Sequence, residues 1–202
     1  MFNLLIASNN QHKIKEFQEM FSCYDVKVYS PNDLGIHVNP IEDGKTYEEN
    51  SLIKAKALQK FTDMAILADD SGLNVVALDN FPGINSSRFA DSKGGNKFAN
   101  PALIEMLKPY KDKSAFFACV ITLLNVEEKP VVFKGICPGK ILDKPEGESG
   151  FGYDPIFFSE EAGCCFGTAS EEIKNKFSHR AKALEQLLNY LKGKKIIWCF
   201  IK

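Results

Sequence analysis

The stretch from Phe2 to Phe21 constrains the fold of this chain more than any other. Phe2-Asn3-Leu4-Leu5-Ile6-Ala7 is a short apolar run of strand formers, Ser8-Asn9-Asn10 can cap a helix, and Ile14, Phe17 and Phe21 then recur at helical spacing. A strand, a tight turn and an amphipathic helix, in that order, open an α/β fold. Val26 to Tyr29 alternates as a second strand, and Pro31 to Lys45, with its Pro, Gly, Asn and Asp, is a long loop. Thr46-Tyr47-Glu48-Glu49 has the spacing of a capping box and predicts a helix running to about Thr62. A third strand, Ala65 to Ala68, runs into Asp69-Asp70-Ser71-Gly72.

The second half holds more strand. Leu73 to Leu78 is a strand candidate, Asn80 to Lys97 a loop, and Pro101 to Leu107 a helix. Ser114 to Val126 and Val131 to Ile136 form a strand pair across the Glu127-Glu128-Lys129-Pro130 turn. Pro155 to Phe158 is a short strand, Ser178 to Leu191 a helix with leucines on one face, and Lys195 to Ile201 a closing strand. With no repeat, low-complexity segment or linker, the pattern describes one domain over residues 1–202, with a long mixed sheet and a cleft.

Composition narrows the function. The 25 Lys and Arg balance 26 Asp and Glu, a formal charge of −1, which excludes a nucleic-acid or membrane-surface binder that works by global basicity. The longest apolar runs fall well short of the roughly 20 residues that cross a bilayer. The start lacks the basic and long apolar regions of a signal peptide, so a cytoplasmic address is expected. Cys23, Cys119, Cys137 and Cys199 lie in apolar segments and are expected to be buried. Cys164 and Cys165 are adjacent, and no C-x-x-C spacing suggests zinc or a dithiol site, so all six are expected to be reduced structural thiols.

Five places carry polar or glycine residues that the fold alone does not require. Ser8 to Lys13 stands at a helix start, where outward N–H groups and a first-turn lysine can cradle phosphate; helix capping is the plainer alternative. Glu42-Asp43-Gly44 and Asp69-Asp70-Ser71-Gly72 offer hard oxygen ligands of the kind that hold Mg²⁺ with substrate phosphates. Adjacent aspartates on an extended chain point to opposite sides, which suggests one structural and one catalytic; an ordinary Asp-Ser-Gly turn is the alternative. Phe81 to Arg88 is a turn with small hydroxyl residues. Gly150-Phe151-Gly152-Tyr153-Asp154-Pro155, with Lys174 and Ser178-His179-Arg180, offers an aromatic face flanked by glycines and donors for a carbonyl or phosphate. Arg88 and Arg180 are the only arginines in the chain, and both fall in these places.

Taken in order, these motifs resemble one family. Ser8-x-Asn10-x-x-Lys13-x-x-Glu16, Thr46-x-x-Glu49-Asn50-x-x-x-Lys54-Ala55, Ala68-Asp69-Asp70-Ser71-Gly72-Leu73, Pro82-Gly83-x-x-Ser86-x-Arg88-Phe89-Ala90, Gly150-Phe151-Gly152-Tyr153-Asp154-Pro155-Ile156-Phe157 and Ser178-His179-Arg180-x-Lys182-Ala183-Leu184 are similar to those of the inosine triphosphate pyrophosphatase family. The resemblance spans Ile6 to about Leu191. It implies an elongated mixed β-sheet flanked by helices, with two lobes around a deep cleft, usually as a homodimer. It also implies a Mg²⁺-dependent enzyme that cuts dITP, ITP and XTP between the α and β phosphates.

By match to the family's motifs, Ser8, Asn9, Asn10, Gln11, His12 and Lys13 would hold phosphates, and Glu42 and Asp70 would hold Mg²⁺. Asp70 would also be the general base, Ser71 and Arg88 would contact substrate, and Lys54 and Lys174 would add positive charge. Phe151 would stack on the purine, with Gly152, Tyr153, Asp154, His179 and Arg180 completing the base pocket. The sequence departs from the family pattern at Ser51, where Ala is more common, and at Asp79-Asn80-Phe81, which lacks the usual glycines. The competing readings are a Maf-type nucleotide pyrophosphatase, whose phosphate loop favours consecutive arginines, and a non-catalytic nucleotide or RNA binding module.

Overall fold

A computed structural model describes residues 1–200. β1 (Phe2–Ile6) pairs in parallel with β2 (Val26–Tyr29) and with β3 (Ala65–Val75), Leu4 lying opposite both Val28 and Ala65. A strand with parallel neighbours on both edges is covered on both faces, so Leu4, Leu5 and Ile6 are buried in succession instead of alternating. α1 (Gln11–Phe21) buries Ile14, Phe17 and Phe21, the stripe read from the sequence. α2 (Tyr47–Gln59) starts at Thr46, whose side chain accepts the Glu49 N–H at 3.1 Å, while Glu49 Oε2 accepts from Lys45 N–H at 2.5 Å.

The remaining elements are β4 (Phe81–Pro82), α3 (Ser86–Ser92), α4 (Asn96–Leu107), β5 (Ser114–Leu124), β6 (Val131–Ile141), β7 (Phe157–Ser159), β8 (Cys164–Cys165), α5 (Glu171–Phe177) and α6 (His179–Gly193). The sheet runs β2-β1-β3-β5-β6-β7-β8, with β4 paired to β3. It is an open mixed sheet flanked by helices, as the α/β reading requires.

The chain divides into two compact units. The first comprises 1–70, 120–134 and the described part of 183–202, and its core includes Leu5, Ala55, Leu58, Ile66, Ala68 and Leu124. The second comprises 71–119 and 135–182, with Leu73, Leu103, Leu107, Phe117, Phe157 and Phe166 in its core. Phe117 meets Phe157 edge to face, ring centroids 4.6 Å apart.

Several sequence expectations are corrected. β3 does not stop at Ala68; it continues through Asp69, Asp70, Ser71 and Gly72 to Val75. Turn-forming residues are overridden there because β3 has strand neighbours to complete its ladder and because Leu73 and Val75 are buried. The 80–97 loop contains α3, α4 begins five residues before Pro101, and α5 was not foreseen. The short strand is Phe157–Ser159, preceded by a 3₁₀ turn over Asp154–Ile156. Of the expected closing strand, residues 195–200 make a single bridge, Cys199 with Tyr24, and Ile201 lies outside the described residues.

Both departures from the family pattern have local explanations. Asp79 and Asn80 take positive φ, 54° and 61°, a region that Asp and Asn tolerate better than other non-glycine residues. Ser51 is fully buried; its hydroxyl donates to Glu48 O at 3.0 Å and lies 2.6 Å from Thr122 Oγ1, itself fully buried. With the Ser51 proton on Glu48, the Thr122 hydroxyl is the donor to Ser51. Ser51→Ala therefore strands a buried hydroxyl and is expected to cost ~1–3 kcal/mol in urea unfolding. Adding Thr122→Val should recover most of that loss; a double variant no more stable than Ser51→Ala refutes the pairing.

Candidate active site

In the first unit the adjacent aspartates of β3 point to opposite sides, as the alternation of a strand dictates, and each meets a different lysine. Asp69, with a side chain only 1% exposed, accepts from Lys13 Nζ at 3.0 Å. Asp70 Oδ1 accepts from Lys54 Nζ at 2.9 Å, and Glu42 Oε2 lies 3.0 Å from the same ammonium. Lys54 sits on α2 and Glu42 in the preceding loop, so strand, helix and loop meet at one nitrogen.

Local structure explains how each group is held. Asn10 is the N-cap of α1, its side chain accepting from His12 N–H at 3.0 Å and Lys13 N–H at 3.3 Å, and Ser8 Oγ accepts from Asn10 N–H at 3.1 Å. Lys13 thus starts from a fixed helical turn, while Asn9, Gln11 and His12 remain exposed. The capping reading is therefore correct in geometry, and it is compatible with an anion cradle because capped N-termini still present N–H groups outward. Asn50 carries a role the sequence reading missed. Its Oδ1 accepts from Gly44 N–H at 2.9 Å, drawing the loop that bears Glu42 onto α2. A Cβ at Gly44 would lie 2.6 Å from that same oxygen, so only glycine allows the approach. The T-x-x-E-N spacing was the available signal.

Burial dominates the electrostatics. It pushes the Asp70 carboxyl above its ordinary value, against the opposing pull of Lys54 and then Lys13, with Glu42 adding to the rise. Burial by itself would lower Lys54, but the carboxylates of Asp70, Asp69 and Glu42 outweigh it and hold the ammonium above its usual range. The two shifts describe one imbalance: a lysine with three carboxylates, and a carboxylate too deeply buried to be fully compensated. Asp70 Oδ2 is buried with no hydrogen-bond partner among the described residues.

An acceptor oxygen of that kind, next to Glu42, is chemically suited to a hard cation. Among the described residues no three His, Cys, Asp or Glu side chains converge into a cage. One or two carboxylates completed by substrate phosphates and water is the usual way Mg²⁺ is held.

In the second unit the residues picked from the 150–154 motif gather around Asp154. This buried carboxylate accepts from Phe151 N–H at 2.7 Å and from Lys174 Nζ at 2.8 Å through one oxygen, Oδ2. Gly150 takes φ +75°, and a Cβ there would fall 2.2 Å from Asp154 Oδ2, so the turn requires glycine twice over. The Phe151 ring has Lys174 Nζ 4.9 Å and Arg180 Cζ 6.0 Å from its centroid. Arg180 is buried and donates from Nη2 to Ser71 Oγ at 3.1 Å.

His179 is also buried, its ring stacked at 4.7 Å and 12° on Phe117. Tyr153 is buried as well, and its hydroxyl donates to Ser86 O at 2.6 Å. Gly152 O accepts from Asn100 Nδ2 at 3.1 Å, a support that the sequence reading did not pick out. Arg88 lies exposed on α3, its Nη1 donating to Asn85 Oδ1 at 2.6 Å.

Comparison with known proteins identifies the family. Residues 4–190 match the model of the Ham1 family. A dITP/XTP pyrophosphatase of Clostridium perfringens is 41% identical over 201 residues, covering 96% of this chain and 98% of the relative. One from Thermoanaerobacter sp. strain X514 is 42% identical over 190 residues, covering 93% and 96%. Among solved structures, the Staphylococcus aureus Ham1 protein superposes with a TM-score of 0.85 at 38% identity, covering 95% of this chain and 99% of that one. A HAM1 protein from Coxiella burnetii gives 0.86 at 35% identity, covering 96% and 100%. The chain belongs to the Ham1 family, as the six ordered motifs implied. No helix among the described residues is long and apolar enough to cross a membrane.

The imbalance at Asp70 is measurable. A raised carboxyl favours the folded state most when protonated, and that contribution is lost as pH rises through the folded value. In metal-free protein at pH 7 Asp70→Asn is therefore expected to raise Tm by a few degrees, and Lys54→Met to lower it by leaving Asp70 and Glu42 facing each other. A lower Tm for Asp70→Asn in calorimetry with EDTA contradicts this assignment.

Proposed function

We propose that this protein is a pyrophosphohydrolase of non-canonical purine nucleoside triphosphates, converting dITP, XTP and ITP to the monophosphate and pyrophosphate. It thereby clears these nucleotides from the pool. The observation that carries the reading is the meeting of Asp70 and Glu42 on one buried lysine, with an Asp70 oxygen left for another partner. The dITP/XTP pyrophosphatase name of relatives at about 40% identity supports the same reading.

Glu42 and Asp70 would hold Mg²⁺, which when bound supplies positive charge against the triphosphate. Lys54 lies against both carboxylates and adds a cation of its own beside them. Asp70, placed on a rigid strand, takes the proton of the water that attacks the α phosphorus. The capped turn from Ser8 to Lys13 presents backbone N–H groups to phosphate oxygens, and Asp69 fixes the Lys13 ammonium. For the base, Phe151 offers a flat face and Arg180, His179, Lys174 and the 152–154 backbone offer donors.

Discrimination against adenine follows from hydrogen bonding at the purine 6 position, whereas guanine shares the 6-carbonyl and must be told apart at its 2-amino group. Hypoxanthine and xanthine present a carbonyl acceptor there, whereas adenine presents an amino donor, and each buried mismatch costs about 1–3 kcal/mol. The reading extends to a cytoplasmic homodimer, checked by light scattering and by cell fractionation.

A pyrophosphate-release assay on dITP, XTP, dATP and dGTP with Mg²⁺ tests the proposal. dITP and XTP should be cleaved far faster than dATP and dGTP, EDTA should abolish the reaction, and Asp70→Asn should lose about 10²–10⁴-fold in kcat. Equal rates on all four nucleotides would overturn the specificity, and full activity in Asp70→Asn would overturn the general base.

A further inference from the structure

Two cysteines outside the site described above are brought together by the pairing of the last described residues with the turn after α1. The sequence placed Cys23 and Cys199 among apolar, buried cysteines. Cys23 is instead half-buried in the turn between α1 and β2, and Cys199 is exposed. The last described residues return to that turn in a defined register. Tyr24 and Cys199 form an antiparallel bridge, Phe200 N–H donates to Cys23 O at 2.9 Å, and Asp25 N–H donates to Trp198 O at 3.1 Å. Trp198 N–H also donates to Asp25 Oδ1 at 2.6 Å.

Opposed residues of an antiparallel bridge have Cα atoms about 4.5–5.5 Å apart. Cys23 is the residue next to that bridge, and its carbonyl takes the N–H of the residue after Cys199, so the two cysteines are backbone neighbours across the pairing. The other thiols differ: Cys165 is buried and donates to Asp154 O at 3.4 Å, Cys137 lies 3.4 Å from Ser159 Oγ, and Cys119 is buried.

We propose that Cys23 and Cys199 form a redox-active dithiol, oxidised by peroxide to an intramolecular disulfide that staples the C-terminal segment to the turn between α1 and β2. The exposed Cys199 thiolate attacks a peroxide oxygen, breaking the O–O bond to give the sulfenic acid and hydroxide. The Cys23 sulfur then attacks Cys199 sulfur, the S–S bond forms, and the sulfenic oxygen leaves as water with the Cys23 proton. In sum two thiols and one hydrogen peroxide give one disulfide and two waters, with two electrons passing from sulfur to peroxide. Burial, followed by the neighbouring Cys199, holds the Cys23 thiol above its ordinary value. The greater exposure of Cys199 gives it the first encounter with peroxide. The closed loop takes in most of the chain, the case in which a cross-link most restricts the unfolded ensemble.

The experiment treats the full-length reduced protein with hydrogen peroxide. The expected result is an intact mass lower by about 2 Da, four instead of six alkylatable thiols, and a non-reducing peptide map that joins the Cys23 and Cys199 peptides. Tm should rise by several degrees and return on adding dithiothreitol. Cys23→Ser and Cys199→Ser should each abolish the mass change while keeping a normal circular dichroism spectrum. A disulfide between Cys164 and Cys165, a cross-link between two chains, or sulfenic and sulfinic acid at Cys199 without a bridge would each overturn the proposal.

Discussion

The ion pair between Asp70 and Lys54 sets the terms for the rest of this molecule. Both side chains are almost entirely withdrawn from water, and two charges taken into a protein interior recover their lost hydration only with good geometry and further partners. Here compensation is one-sided: Lys54 has Asp70 and Glu42 at about 3 Å, whereas Asp70 keeps a buried oxygen with no hydrogen-bond partner among the described residues. An apolar pair of similar volume would serve the fold at least as well. The arrangement leaves an acceptor oxygen chemically suited to a hard cation.

Much of the first unit can be understood as support for that pair. The parallel β1-β3 ladder holds Asp69 and Asp70 in an extended segment, and the strand's alternation sends one to Lys13 and the other to Lys54. The Thr46 cap fixes where α2 begins and therefore where Lys54 stands. Asn50 and Gly44 pull the Glu42 loop against the same helix. In the second unit Asp154 plays the corresponding organising part, binding the Phe151 amide and the Lys174 ammonium through one oxygen.

The sequence was most legible where one local rule acted alone. The β1-α1-β2 order, the Thr46 cap and the Ile14, Phe17, Phe21 stripe depend on spacing and capping within a few residues, and all are found where expected. It was least legible where distant partners decide. Asp-Ser-Gly is a turn signal, yet β3 runs through it because neighbouring strands complete its ladder. Pro101 looked like a helix start and lies inside α4. Ser51 looked like a deviation until Thr122, far away in sequence, was found to share its hydrogen bond.

By itself, then, the sequence determined the α/β class and the family through six ordered motifs, since residue type and short-range spacing carry that information directly. The tertiary structure decided which lysine answers which aspartate, that Lys174 pairs with Asp154, that Arg180 meets Ser71, and that the backbones at Cys23 and Cys199 come together. These pairings join residues up to most of the chain length apart. Their partners are chosen by packing and by the cost of burying a charge alone, and neither can be evaluated until the chain has brought its segments together.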